Sequence, residues 1–392
     1  MNAQSRFTQQ KPDRVLRFVC AGGGTGGHVF PAVAIADALR KAHPEADIRF
    51  AGARDRIEWK AVPKAGYPID PIWISGLQRR FTLSNLLVPL KLIVSLVQSL
   101  RRLRAFKPNA VICTGGYVSG PVGWVAARLG IPVFLQEQNS FPGVTTRLLS
   151  GDARRVFTAF EPAVKHLPKP AAAGRIRLLG NPARAALLPL YEEACKQELR
   201  KQARQKFGIP ESAQVLLVLG GSGGAGPVNE AVRKNLDKLH GKMDLHIIWQ
   251  CGKAYITALE QEIRREAYPN LHLYHFIDDM AEAYACASVA LSRAGAGICT
   301  ELLIAGLPSV LMPSPYVAGD HQTQNAEAMA EAGAAQLLSD RAAPTGLVPV
   351  LKNLFGDDSA RNRMAAAARG MAKPEAAADI AAEVLDYLQN PD

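Results

Sequence analysis

The chain has 392 residues, of which 48% are hydrophobic, and a formal net charge of +11. This length argues against a single hydrophobic core and predicts two domains. The hydrophobic content is ordinary for a soluble globular protein.

The positive charge is concentrated in the first half of the sequence. Residues 1–190 carry 27 Lys and Arg against 10 Asp and Glu, whereas residues 191–392 carry 19 against 25. A basic surface of this kind suits nucleic acid, an anionic membrane or a phosphorylated substrate, and charge alone does not choose among them.

Neither the cysteines nor the N-terminus indicates export. The six cysteines are scattered, form no Cys-x-x-Cys pair and lie in part inside apolar runs, as buried free thiols do. Residues 1–13 are polar and lack an apolar core, so we expect a loose tail rather than a signal peptide. These features predict a reducing, cytoplasmic location.

A glycine-rich stretch near the N-terminus carries the first signal of a binding site. Leu16–Ala21 is an apolar run of strand length, five glycines fill the six positions from Gly22 to Gly27, and Val29–Leu39 has helical spacing. Glycines at such a turn let the backbone approach a ligand, and the following helix offers free N–H groups and its positive dipole end. The expected ligand is an anion.

A second copy of this arrangement opens the other half of the chain. The apolar run Val215–Leu219 leads into glycines at 220–226 and then into a predicted helix, Val228–Leu239. The two copies suggest two similar α/β domains joined near residues 180–190. Further predicted strands are Ile48–Gly52, Ala110–Cys113, Pro132–Leu135, His246–Gln250, Leu271–Phe276, Val289–Leu291 and Ser309–Met312. Their alternation with helices favours parallel sheets, with ligands at the strand C-termini in a cleft between the domains.

A basic segment of the first half contains an amphipathic helix. Residues 71–136 hold eight basic and no acidic residues. The apolar stripe consists of Leu86, Leu90, Ile93, Val97 and Leu100, and the basic residues around it include Arg79, Arg80 and Lys91. The stripe is too short and too interrupted to span a bilayer. It either packs on a sheet or lies on an anionic membrane surface, and both can hold for different residues.

Both glycine-rich turns match Gly-x-Gly-x-x-Gly, so a dinucleotide enzyme is one alternative. That fingerprint also needs an acid after the next strand, and the second half ends its next strand at Gln250, Cys251 and Gly252 without one. His28, directly after the first turn, is either satisfied by a backbone carbonyl or acts as a general base, because a helix N-terminus keeps an imidazole neutral.

The second half offers polar residues suited to a nucleotide sugar. Glu301 lies one turn into a predicted helix, where it either accepts hydrogen bonds from vicinal hydroxyls or simply caps the helix dipole. Asp320–Asn325 carries side chains suited to sugar hydroxyls. No Asp-x-Asp pair follows a strand, so we expect no metal and a diphosphate leaving group held by helix dipoles, Ser222 and arginines.

Six motifs in order resemble one known family. They are Gly-Gly-Gly-Thr-Gly-Gly-His-Val-Phe-Pro at 22–31, Gly-Gly-Tyr-Val-Ser-Gly-Pro at 115–121, Gln-Glu-Gln-Asn at 136–139, Gly-Asn-Pro-x-Arg at 180–184, Gly-Gly-Ser at 220–222 and the Arg-x-Gly-Ala…Glu helix at 293–301. Over about residues 14–385 the chain resembles the peptidoglycan N-acetylglucosaminyltransferases, which convert undecaprenyl-diphospho-muramoyl-pentapeptide (lipid I) to lipid II.

The resemblance implies an α/β GT-B fold of two Rossmann-like parallel-sheet domains facing a cleft. Residues 1–185 would form the acceptor and membrane-side domain, residues 186–370 the UDP-sugar domain, and residues 371–392 a C-terminal helix. It implies inverting transfer from UDP-N-acetylglucosamine to the muramoyl 4-hydroxyl, without metal or cofactor. The enzyme would lie on the cytoplasmic face of the inner membrane, with an anionic membrane surface and no nucleic acid as partner.

The resemblance also implies roles for particular residues. Thr25, Gly26 and Gly27 would line the donor sugar and diphosphate, with His28 beside them as the candidate base. Asn139 and Gln322 would contact the sugar, Arg184 and Ser222 the nucleotide diphosphate, Ile277 the uracil through its backbone, and Glu301 the ribose, while Ala296, Gly297, Ile298, Cys299 and Thr300 would shape the pocket. The chain departs from the family at Gly223, where a Gln is usual, and in the looser segment after Gly295.

Three rival functions belong to other classes. A dinucleotide oxidoreductase would bind NAD(P)H, and the missing second acid argues against it. A nucleic-acid binder would use the basic half, but that half has few aromatic residues among its basic ones and no nucleic-acid motif. A UDP-sugar epimerase on the same fold is the nearest competitor, and it would consume no lipid acceptor.

Overall fold

The computed structural model of the chain describes residues 15–76, 87–168, 174–221, 223–317 and 320–391. Within these residues the strands of both sheets pair in parallel. The strands are β1 (Arg17–Gly22), β2 (Asp47–Gly52), β3 (Ile69–Pro71), β4 (Ala110–Gly115), β5 (Val133–Glu137), β6 (Arg155–Thr158), β7 (Ile176–Leu178), β8 (Val215–Leu219), β9 (His246–Gln250), β10 (Leu271–Tyr274), β11 (Val289–Ser292), β12 (Ser309–Leu311) and β13 (Ala335–Leu337).

The helices alternate with these strands, as parallel sheets require. They are α1 (Gly26–Ala42), α2 (Glu58–Lys64), α3 (Val88–Phe106), α4 (Ser119–Arg128), α5 (Val144–Leu149), α6 (Pro162–Lys165), α7 (Glu193–Phe207), α8 (Gly226–Asp237), α9 (Ile256–Glu262), α10 (Met280–Cys286), α11 (Ala296–Ala305), α12 (His321–Glu331), α13 (Ala343–Gly356), α14 (Asp358–Met371) and α15 (Ala376–Gln389). None of the helices within the described ranges combines the length and the apolar composition that crossing a bilayer requires.

The strand orders of the two sheets follow the same scheme. The first sheet runs β3-β2-β1-β4-β5-β6-β7 and the second runs β10-β9-β8-β11-β12-β13. In each sheet the chain goes out to one edge and then returns to the other side of its first strand. The carboxyl ends of β1 and β4, and those of β8 and β11, therefore form the switch points where open α/β sheets bind ligands. Two Rossmann-like parallel sheets, as predicted, are confirmed.

The central strands arise from apolar, β-branched sequence. Every residue of β8 is buried, as is every residue of β5 and β11. Strands of this kind are covered by helices on both faces and read as continuous apolar runs. The sequence prediction found these strands but missed four shorter ones at or near the sheet edges, namely β3, β6, β7 and β13.

Contacts between Cα atoms divide the chain into two compact units. The first unit lies within residues 1–135, 152–154 and 380–392, and the second within residues 136–151 and 155–379. The C-terminal end belongs to the first unit, where the Tyr387 ring meets the Phe134 ring edge-on at 5.5 Å. The predicted bounds of 1–185, 186–370 and 371–392 stay a prediction.

Helix α3 turns its polar side inward. Ser95 and Ser99 are buried and donate their hydroxyls to backbone carbonyls of the same helix. Leu90, Ile93 and Val97 are instead 49%, 61% and 43% exposed. These three side chains of the predicted apolar stripe therefore form an exposed face of the first unit and are not packed in a core, whereas Leu100 is half-buried and Leu86 lies outside the described residues.

Candidate active site

The first glycine-rich turn packs directly on the turn after β4. A Cβ atom at Gly116, which has a φ of +80°, would lie only 2.2 Å from the carbonyl oxygen of Gly23. Thr114 donates its hydroxyl to the backbone carbonyl of His28 at 2.8 Å. These contacts join the two turns at the switch point of the first sheet and explain why glycine is needed there.

His28 lies in the first turn of helix α1, and its Nδ1 has two oxygen neighbours. Its Nδ1 is 3.2 Å from the carbonyl oxygen of Gly23 and 3.2 Å from Oγ1 of Thr25. Because a carbonyl oxygen can only accept, the contact with Gly23 needs a proton on Nδ1, and a neutral ring in that form has its lone pair on Nε2. The two interpretations made from the sequence are thus compatible: one nitrogen is satisfied by a carbonyl, and the other has the form of a general base.

A buried carboxylate supports the same turn from below. Glu58, at the start of α2, is fully buried and accepts from the backbone N–H of Gly24 at 3.0 Å and from that of Ala53 at 3.1 Å. Sequence reasoning missed this residue because it lies 34 positions from Gly24 and belongs to no recognisable motif.

The second glycine-rich turn is tied down by a neutral side chain. Gln250 ends β9, donates from Nε2 to the carbonyl of Gly221 at 3.1 Å and accepts at Oε1 from the N–H of Ile277 at 2.9 Å. Gly224 has a φ of +81°, and a Cβ there would lie 2.2 Å from the carbonyl oxygen of Cys251. Because Gln250 already accepts from the N–H of Ile277, a uracil ring would contact the carbonyl oxygen of Ile277.

The carboxylate of Glu301, on α11, accepts hydrogen bonds from a guanidinium and from a phenol hydroxyl. Arg184 donates to its Oε1 from Nε at 3.2 Å and from Nη2 at 2.8 Å. The fully buried Tyr284 donates its hydroxyl to Oε2 at 2.8 Å. Burial and the neighbouring carboxylate raise the pKa of Tyr284 well above its usual value, so its hydroxyl stays a donor. Oε2 keeps room for a further donor such as a ribose hydroxyl.

The first turn of α11 presents backbone rather than side chains. Cys299 is fully buried, and burial raises the pKa of its thiol to about 12. Thr300 donates to the carbonyl of Ala296 at 2.9 Å and accepts from Nδ2 of Asn181 at 3.0 Å. Cys299 and Thr300 would therefore contact a UDP-sugar through their backbone groups. Gly297 and Ile298 are half-buried at the N-terminus of this ten-residue helix, whose dipole favours an anion.

Asn139 and Gln322 lie in the second unit, although Asn139 falls in the first half of the sequence. Asn139 donates from its backbone and side chain to Oε1 of Glu137, at 3.1 and 3.2 Å. Asn325 on α12 donates to Oδ1 of Asn139 at 3.4 Å and accepts from the N–H of Ser140 at 2.8 Å. Gln322, one turn earlier on α12, accepts from the N–H of Ser314 at 2.9 Å.

The predicted site residues thus fall into two groups. The first group lies in the first unit, at the first glycine-rich turn and the start of α1, and consists of Thr25, Gly26, Gly27 and His28. The second unit holds Asn139, Arg184, Ile277, Ala296, Gly297, Ile298, Cys299, Thr300, Glu301 and Gln322. Ser222, Arg79, Arg80 and Leu86 lie outside the described residues. Lys91 is described, and its Nζ donates to Oγ of Ser75 at 2.9 Å beside the Trp73 ring.

The two parallel sheets have glycine-rich turns at their switch points, and the second unit also holds the Arg184–Glu301 pair. This arrangement is typical of α/β enzymes that bind nucleotides. Comparison with known domains agrees: residues 18–158 match the glycosyltransferase family 28 N-terminal domain and residues 215–383 match its C-terminal domain.

Full-length relatives narrow this class. A UDP-N-acetylglucosamine–N-acetylmuramyl-(pentapeptide) pyrophosphoryl-undecaprenol N-acetylglucosamine transferase from Salinibacter ruber is 44% identical over 95% of this chain and 97% of its own length. The crystal structure of MurG from Acinetobacter baumannii superposes with a TM-score of 0.72 at 28% identity, over 95% of this chain and 99% of its own. The chain belongs to the family of these transferases, within glycosyltransferase family 28.

The fold is shared more widely than the family. UDP-GlcNAc 2-epimerase from Neisseria meningitidis, in its crystal structure bound to UDP-GlcNAc, superposes with a TM-score of 0.69 over 96% of this chain and the whole of its own. At 15% identity this likeness shows the fold alone. The predicted GT-B fold class is confirmed by these neighbours.

Proposed function

We propose that this protein transfers N-acetylglucosamine from UDP-N-acetylglucosamine to the 4-hydroxyl of the muramoyl residue in undecaprenyl-diphospho-muramoyl-pentapeptide, with inversion at the anomeric carbon. The observation that carries this proposal is the full-length similarity to transferases named for this reaction, at 44% identity. The geometry of both glycine-rich turns fits it.

The second unit would bind the donor. Ribose hydroxyls would donate to Glu301, which Arg184 and Tyr284 hold in place. The diphosphate would lie near the N-terminus of α11, where backbone N–H groups and the helix dipole stabilise negative charge that develops on leaving UDP. Asn139 and Gln322 would contact the sugar. This arrangement stabilises the leaving group with the chain's own dipoles and cations.

The first unit would activate the acceptor. Nε2 of His28 takes the proton of the muramoyl 4-hydroxyl while its oxygen forms a bond to the anomeric carbon. The bond from that carbon to the diphosphate oxygen breaks, and UDP leaves with the electron pair. The Nδ1 contact to the Gly23 carbonyl supports this role, since a neutral ring with its proton on Nδ1 has its lone pair on Nε2.

Incubation with radiolabelled UDP-N-acetylglucosamine and a lipid I analogue tests the proposed reaction. We expect label to move into the lipid fraction in proportion to the lipid acceptor. Conversion of the UDP-sugar without a lipid acceptor would instead support the epimerase alternative, and UDP-sugar binding with no transfer would refute the proposed acceptor.

The exposed face of α3 would hold the enzyme on the cytoplasmic face of the inner membrane. Leu90, Ile93 and Val97 lie on one side of the helix, and the exposed Arg101 and Arg104 continue the same side by helical spacing. An apolar patch followed by cations suits an anionic lipid surface. The undecaprenyl chain of the acceptor would be presented at that surface.

Replacing Leu90, Ile93 and Val97 with serine should weaken binding to anionic liposomes, measured by sedimentation, about tenfold or more. The reason is that each apolar side chain, once partly buried in the membrane, contributes on the order of 1 kcal/mol to the binding free energy. The matched control is Val144→Ser with Leu148→Ser, two side chains of the second unit that are 64% and 75% exposed. Equal sedimentation of the triple variant and the wild type would refute the membrane proposal.

A further inference from the structure

Glu58 is a carboxylate enclosed by protein with backbone amides as its hydrogen-bond donors. It is 0% exposed, and its two oxygens accept from the N–H groups of Gly24 and Ala53 at 3.0 and 3.1 Å. A Cβ atom on Gly23 would lie 2.4 Å from its Oε1, so the carboxylate packs directly against the turn. A buried carboxylate is costly to retain for loop packing alone.

The amide that Glu58 binds belongs to the same peptide unit as the carbonyl beside His28. The Gly23–Gly24 peptide donates its N–H to Oε2 of Glu58 at 3.0 Å, and its carbonyl oxygen lies 3.2 Å from Nδ1 of His28. In a trans peptide these two groups point in opposite directions. One peptide unit therefore connects the carboxylate to the imidazole.

We propose that Glu58 is a positioning residue that acts on His28 through the Gly23–Gly24 peptide. Its negative charge polarises the peptide and makes the Gly23 carbonyl a stronger acceptor for the Nδ1 proton. The contact fixes the tautomer and stabilises the imidazolium that forms when Nε2 takes a proton. The arrangement corresponds to the carboxylate–imidazole pair of hydrolase triads, with a peptide inserted between the two groups. This inference rests on the proposed role of His28 as base.

The surroundings of the turn agree with this assignment. Thr25 presents Oγ1 at 3.2 Å from the same Nδ1, and Thr114 on β4 donates to the His28 backbone carbonyl, so the turn contacts the ring and β4 contacts the backbone of His28. Besides Glu58, the titratable Tyr117 lies within 4 Å of a Cβ position on Gly24. Glu58 contacts the turn at the N–H of Gly24, and the imidazole contacts it at the carbonyl oxygen of Gly23.

The tautomer of His28 provides a test that needs no variant. In the ¹⁵N NMR spectrum of the selectively labelled wild-type protein, neutral His28 should carry its proton on Nδ1. A spectrum with the proton on Nε2 would overturn the proposal. This result is independent of whether sugar transfer takes place, so a failed transfer assay and a failed relay are distinguishable.

The variant Glu58→Gln tests the charge. We expect kcat to fall about 10- to 100-fold, with an acidic limb of the pH–kcat profile that moves to lower pH and a KM for UDP-N-acetylglucosamine within about twofold of wild type. The exposed Glu45→Gln is the matched control. A variant with lowered thermal stability but an unmoved acidic limb would make Glu58 merely structural and overturn the proposal. If the variant does not fold, the tautomer measurement decides.

Discussion

The two glycine-rich turns occupy the same place in their sheets but contact different side chains. Each follows the first strand of its sheet and opens a helix at a switch point. Beneath the first turn lies the carboxylate of Glu58, which accepts the Gly24 amide. Beneath the second lies the neutral Gln250, whose side chain donates to the Gly221 carbonyl.

This difference decides which turn suits a diphosphate. A buried negative charge under the first turn disfavours an anion there. The second turn rests on the neutral Gln250 instead, and it follows β8, which pairs with β11, the strand before α11. We therefore propose that the first turn orients the imidazole and that the second unit binds the nucleotide.

The largest effect should come from the first turn. His28→Ala removes the proposed base and should lower kcat about 10³-fold, while the KM for UDP-N-acetylglucosamine changes by less than about threefold. Steady-state transfer assays measure both constants. His43→Ala, at the other end of α1, is the control and should behave like wild type. An equal loss in kcat and donor affinity would make His28 a binding residue. It would contradict the proposal that the first turn serves catalysis while the second unit binds the donor.

Gln250→Glu makes the second turn resemble the first. Its new oxygen would face the Gly221 carbonyl, now 3.1 Å from the Gln250 amide, and would add negative charge beside the diphosphate. A loss of about 1–2 kcal/mol is expected, so the KM for UDP-N-acetylglucosamine should rise roughly tenfold. The exposed Gln261→Glu on α9 is the control. An unchanged donor KM in Gln250→Glu would contradict the assignment of the diphosphate to this unit.

The smallest expected effect is on stability at low pH, and it arises from two histidines of the second unit rather than from the proposed catalytic turn of the first. The rings of His246 and His272 stack at 6.1 Å, and burial lowers the pKa of both. Because their pKa in the unfolded chain is about 6.5, the unfolded state binds more protons below that pH, and stability falls as the pH drops through this range. The melting temperature should decline from about pH 6.5 to pH 5.5, and replacing both residues with Gln should flatten the decline. An equally steep decline in the double variant would exclude them as its source.

The sequence predicted the central strands and both turns because apolar runs and glycine clusters are local signals. It missed the edge strands β3 and β7, which have three residues each. It also missed the side chains that act across the sheet. Glu58, Gln250 and Tyr284 reach their partners through strand order and helix packing, and no local pattern connects Tyr284 with Glu301. Residues that orient others are therefore harder to find than residues that belong to a motif.

Transfer rates at saturating UDP-N-acetylglucosamine, compared between His28→Ala and Gln250→Glu, test the division of tasks most directly. If the first turn serves catalysis and the second serves donor binding, excess donor should bring Gln250→Glu within about threefold of wild type and leave His28→Ala about 10³-fold below it. Rescue of His28→Ala by donor, or a Gln250→Glu variant that stays equally inactive at saturation, would contradict the account.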